Sequence, residues 1–180
     1  MPRPLLLAAV LLTGCLPAQP RLAAPPTPHA DLEGAPAFDV YSFFEGETAG
    51  LGVLYVRGRS PVIVRVESRG TVLEGGDLEL VQTITRGDAD PYSRTWTFRD
   101  LGGGRYTGEL TEATGPVEAE VIGDRLEIRY RTGRVTTVAQ TLRLQPGGRL
   151  ALNLLTVRVL GVPVARLVEQ IRGLEGTPRS

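Results

Sequence analysis

The sequence predicts an all-β protein, an antiparallel sandwich or barrel of about nine or ten strands preceded by a short helical turn. Three observations carry this. From Phe38 onward, short runs alternate apolar and polar residues. Glycine-rich turns separate those runs at close, fairly regular intervals. No long amphipathic helix interrupts them, which argues against a parallel βαβ architecture. A chain of 180 residues is long enough for one domain with a real core.

Each run can be justified in turn. Val62, Val64 and Val66 share one face, and Ile63, Arg65 and Glu67 take the other. Tyr92, Arg94, Trp96 and Phe98 share a parity against Ser93, Thr95, Thr97 and Arg99. Tyr106 and Leu110 lie on a face with Gly108 between them. Val117, Ala119 and Val121 face Leu126, Ile128 and Tyr130 across a Gly123-Asp124 turn, a hairpin pattern. Further turns fall at Gly75-Gly76, Gly102-Gly103-Gly104 and Gly147-Gly148. The last run is ambiguous: Val164, Leu167, Val168 and Ile171 have helical spacing, yet a closing strand here would spare a barrel an exposed edge. Pro163 suits either the first turn of a helix or a strand edge or bulge.

The stretch from Tyr41 to Arg59 contains Gly50-Leu51-Gly52. A dinucleotide fingerprint needs a third glycine and a following helix. Here a strand-like Val-Leu-Tyr-Val follows, so a phosphate-binding turn is excluded. The reading that remains is architectural. A helical turn from about Asp39 carries Phe43 and Phe44 to stopper one end of a barrel, and Gly46, Gly50 and Gly52 let the first strand bend and approach its neighbours closely.

The N-terminus has a different texture. Met1-Pro-Arg-Pro is a short positive region, and Leu5 to Leu12 is apolar but far shorter than the roughly 20 residues that span a bilayer. Leu12-Thr13-Gly14-Cys15 resembles the bacterial lipobox, whose cysteine is acylated after cleavage in front of it. The expected organisation is a lipoprotein signal peptide over residues 1–14, a Pro/Ala-rich tether over 15–37 starting at a lipidated Cys15, a barrel domain over 38–174 and a tail over 175–180. Leu16, in place of an aspartate after the cysteine, points to the periplasmic face of the outer membrane in a diderm host.

Three segments in order, Phe38–Arg59, Gly102–Arg131 and Leu150–Ile171, resemble a group of bacterial lipoproteins classed as domain of unknown function 3833. The similarity spans roughly Phe38 to Arg172, and its most specific pieces are Phe-Phe-x-Gly followed by Gly-x-Gly, and Gly104-Arg105-Tyr106-x-Gly108 leading to Gly115 and Gly123. The resemblance implies a lipocalin-like β-barrel in the cell envelope and brings no reaction with it. The family's acidic and aromatic stretch before the penultimate strand is replaced here by Val138–Asn153, which carries neither.

Composition narrows the functional classes. Twenty basic residues, all arginine, balance twenty acidic ones, which argues against nucleic acid as a partner. The absence of lysine fits the arginine codons of a GC-rich genome. His29 and Cys15 are the only residues of their kinds, and neither falls in the barrel, so nucleophile–base pairs are not expected and the chain does not read as an enzyme. No metal or cofactor is expected: haem would need a tyrosine or arginine ligand, and Asp88–Pro91 reads as a polar hairpin tip, not a calcium loop. Glu118, Glu120 and Glu127 alternate against the apolar set, as solvent-facing carboxylates do.

What remains is a lipid-tethered barrel for an apolar or amphipathic small molecule such as a fatty acid. The alternative is an accessory envelope protein with a filled barrel that acts through its surface; protein partners are not legible. Phe44, Arg94, Trp96, Phe98, Tyr106 and Tyr130 are the candidate lining residues. Arg94 is either an inward cation that meets a carboxylate or a rim side chain that snorkels to water. A cavity would need inward glycine, alanine or polar residues, of which Gly108 and Ala119 supply a little.

Overall fold

The structure is a computed structural model that describes residues 34–174. Cys15, the lipobox, His29, the proline-rich tether up to residue 33 and the tail lie outside the described residues. One short helix, α1 (Val40–Phe44), precedes ten strands. These are β1 (Gly46–Val56), β2 (Val62–Val72), β3 (Leu78–Arg86), β4 (Tyr92–Gly102) and β5 (Arg105–Leu110). There follow β6 (Val117–Ile122), β7 (Arg125–Arg131), β8 (Thr136–Leu144), β9 (Leu150–Val159) and β10 (Val162–Gly173). Each strand pairs antiparallel with the next, and β10 pairs with β1 to close the barrel.

The expected faces hold. Val64 and Val66 point inward while Ile63, Arg65 and Glu67 are exposed. Trp96 and Phe98 are buried. The β6–β7 hairpin pairs Ala119 with Ile128 and Val121 with Leu126, and Gly123 takes the positive φ of 58° that its turn needs. The final run is a strand, paired along its length on both sides. Helical spacing overstated Val168, which faces solvent, because period-two alternation puts Leu167, Glu169 and Ile171 inward instead. Pro163 sits at an irregularity of the β9–β10 register, where its missing N–H interrupts no regular ladder.

Helix α1 stoppers one end. Asp39 caps it by accepting a hydrogen bond from the Ser42 N–H at 2.8 Å, and the Phe38 N–H is fixed to the Gly123 carbonyl at 2.8 Å. Phe38, Val40, Phe43 and Phe44 are buried, and Phe43 meets Phe44 edge-on with ring centroids 4.9 Å apart. The turn follows the chain into β1 only because Gly70, opposite on β2, has no side chain: a Cβ there would collide with the Phe44 carbonyl.

Two substitutions test the stopper. Phe44→Ala is expected to cost about 3–5 kcal/mol, the usual range for emptying a buried phenylalanine site. Gly70→Ala is expected to lower the melting temperature as well, by pushing α1 off the barrel end. Thermal melts that match the parent protein for both variants would show that α1 is not packed as described.

Candidate functional site

Strand parity and the stopper together enclose a cavity of about 300 Å³ inside the barrel. Phe44, Phe98 and Ile171 lie among its walls toward the closed end. Val56, Arg86, Tyr92, Glu112 and Thr132 lie at the opposite, open end, where β1 and β3 finish and β4 begins. The volume sits at the lower limit of small-molecule sites.

One wall is organised around Gln82 on β3. Its Oε1 accepts from Arg94 Nε at 2.8 Å and from Trp96 Nε1 at 2.7 Å, while its Nε2 donates to Ser68 Oγ at 3.1 Å. These partners come from the register: Gln82 lies directly between Ser68 on β2 and Arg94 on β4. With two donors on the oxygen and an acceptor at the nitrogen, the amide orientation is determined. The Arg94 side chain is 15% exposed, lies over the Trp96 ring at 5.2 Å, and has Glu112 Oε1 3.7 Å from one terminal nitrogen. Trp96 stacks on Phe98 at 5.6 Å and meets Tyr130 edge-on at 5.4 Å. Burial, partly opposed by Arg94, pushes the Tyr130 hydroxyl up to about 12, so it stays neutral and can donate.

Five of the six candidate residues, Phe44, Arg94, Trp96, Phe98 and Tyr130, therefore line one cavity. Tyr106 does not. It has inward parity but is not among the residues that line the cavity, and its ring packs on Tyr41 of α1 with centroids 6.3 Å apart. Gly108 does not widen the cavity either, since a Cβ on it would strike the Thr97 backbone of the adjacent strand.

The room comes instead from Gly50 and Gly52, and a carboxyl uses it. A Cβ on Gly50 would collide with Glu169 Oε1, and one on Gly52 would lie 2.8 Å from Glu169 Cβ and 2.6 Å from the Val168 carbonyl. Gly-x-Gly is thus a notch in the barrel wall that houses Glu169, which is 5% exposed. Asn153, paired with it across β9 and β10, donates from Nδ2 to Glu169 Oε2 at 2.8 Å. Desolvation raises the Glu169 pKa above its ordinary value of 4.5, against the opposing Asn153 hydrogen bond and the Arg94 charge. This residue escaped the sequence reading, which treated strand carboxylates as solvent-facing. Period-two parity across Leu167, Glu169 and Ile171 was the available signal.

A closed antiparallel barrel with one stoppered end and a mostly apolar interior that holds a few polar side chains defines a lipocalin-like barrel protein. The chain belongs to the family described as "Protein of unknown function (DUF3833)", which matches residues 10–146 and so stops short of β9 and β10. No curated protein matches the chain. Among solved structures, an S-type phycobiliprotein lyase from Guillardia theta shares the fold at 7% identity and a TM-score of 0.62, covering 78% of this chain and 95% of its own. A DUF3598-family protein of unknown function from Nostoc punctiforme matches at 14% identity and 0.58 over 77% of this chain, which spans only 50% of that longer protein. Rv2717c from M. tuberculosis matches at 17% identity and 0.54, covering 74% of this chain and 94% of its own.

The buried carboxyl has a pH consequence. A raised pKa means that folded Glu169 binds its proton more tightly than unfolded Glu169, so its contribution to stability falls as pH climbs from the ordinary value of 4.5 through the raised one. Below 4.5 both states are protonated and the effect vanishes. Urea midpoints of the parent protein should therefore decline relative to Glu169→Gln as pH rises from mildly acidic to neutral. Parallel pH profiles would place the carboxyl in water.

Proposed function

We propose that the protein is a lipid-anchored bacterial envelope protein whose barrel holds an amphipathic small molecule. The acid group of that molecule rests on Arg94, and its apolar part lies along Trp96, Tyr130 and Phe98. The observation that carries this is the Arg94 guanidinium, largely desolvated, aimed by Gln82 into a cavity of about 300 Å³. At 3.7 Å its neutralising partner Glu112 is a loose one that an incoming carboxylate can replace. Residues 34–174 contain neither histidine nor cysteine, which favours binding over catalysis, although one protein of the same fold is a lyase. The lipobox-like Leu12–Cys15 and the proline-rich segment after it support a lipid anchor, and Leu16 supports the outer membrane.

Displacement of an environment-sensitive dye by medium-chain acids tests the cavity. A desolvated arginine–carboxylate contact contributes on the order of 1.5–3 kcal/mol, so Arg94→Gln should weaken binding by about ten- to a hundredfold and leave the melting temperature close to that of the parent protein. Equal affinities for both proteins would remove Arg94 from the site, and no binding by either would favour a protein that acts through its surface. For the anchor, Cys15→Ser should lose palmitate label and membrane fractionation. A variant that kept the label would refute lipidation at this cysteine.

A further inference from the structure

The wall opposite Gln82 has a chemical peculiarity of its own. Gln140 on β8, Asn153 on β9 and Glu169 on β10 each point inward, and all three line the cavity. They are neighbours by register: Glu169 faces Asn153, and Asn153 faces Leu142, two residues along β8 from Gln140. They are 8%, 3% and 5% exposed, respectively. Among the described residues, no donor reaches Gln140 Oε1, Asn153 Oδ1 or Glu169 Oε1. Three buried acceptors on three adjacent strands are thus short of donors, whereas every polar group of Gln82 across the cavity is matched. Buried polar groups left without partners destabilise a fold, and where they cluster in a cavity they mark what the cavity is shaped to receive.

We infer that the wall formed by β8, β9 and β10 is a second recognition point of the cavity, which takes the hydroxyl group of a hydroxylated medium-chain acid. The inference rests on the reading of the cavity as the ligand site and adds the identity of the ligand's far end. Size limits the guest: about 300 Å³ lies at the lower limit of small-molecule sites, which suits a medium-chain acid. Charge selects the donor. An ammonium group would bring a second charge into largely apolar surroundings, whereas an uncharged hydroxyl can donate its one hydrogen to one of these carboxyl or amide oxygens. The acid end stays with Arg94 on β4, so the two polar walls read the two ends of one molecule. A site built to pair with a ligand hydroxyl discriminates strongly against the analogue that lacks it, because the acceptor that met the hydroxyl is then left unmatched.

The test compares ω-hydroxy acids of six to ten carbons with the unsubstituted acids of equal length, by dye displacement from the full-length protein. The parent protein should prefer the hydroxy acid by about tenfold or more at the best-fitting length. Glu169→Met, which keeps the side-chain volume, should reduce that preference to near unity while plain-acid binding persists. Gln140→Leu should reduce it in part, and it serves as the readout if the Met variant does not fold. If the parent protein binds plain acids and hydroxy acids equally at every length, the second recognition point is refuted while the Arg94 site stands. If it binds neither, both readings fall. A preference that survives in both variants would also overturn the assignment.

Discussion

Everything inside this barrel depends on the pairing of β1 with β10. Until those two strands meet, the sheet has two open edges, and neither the cavity nor the notch exists. Closure satisfies the backbone groups of both edges at once and leaves no edge for another chain to extend. It also makes the inward face of β1 a shared boundary. Gly50 and Gly52 lie between β2 and β10, so a side chain at either position would be pressed against the closing strand. The Gly-x-Gly spacing is therefore a condition of closure as well as a feature of the site. Glycine costs conformational entropy in a strand, and here the return is a seam tight enough to bury a carboxyl.

Polar groups in this interior divide into two energetic kinds. Gln82 uses its oxygen twice and its nitrogen once, so its burial leaves little unmet, and it holds Trp96 and Arg94 in fixed positions. The Gln140, Asn153 and Glu169 wall is different. Each orphaned acceptor carries a desolvation cost of about 1–3 kcal/mol that no hydrogen bond among the described residues offsets. The apolar cluster running from Phe38 and Phe44 through Trp96, Leu126 and Leu142 to Ile171 supplies the stability against which that cost is set.

The sequence made the strands legible because one face of each is buried, which enforces alternation; Val62–Val66 and Tyr92–Phe98 read correctly for that reason. It made the aromatic wall legible by the same parity. Position along the barrel axis has no such code. Tyr106 shares the inward parity of Trp96 yet packs on Tyr41 of α1 instead of lining the cavity, because the placement of the stopper decides which inward residues see the cavity. Glu169 was hidden by a competing period, since Val164, Leu167, Val168 and Ile171 fit a helix as well as a strand, and a helical reading puts the glutamate in water. Gly108 was credited with space that belongs to Gly50 and Gly52, because a glycine's use depends on which neighbour crowds it.

The packing of Phe38, Phe43 and Phe44 across one end has a consequence for traffic. The barrel is a blind tube, so any guest would have to back out along the route by which it went in, and whichever end entered first would leave last. Such a container has a single resistance, set at the mouth by Arg86, Tyr92, Glu112 and Thr132. Residence time is then decided by a ring of side chains some distance from the deepest contacts. Depth of burial and rate of exchange become separately adjustable properties of one molecule.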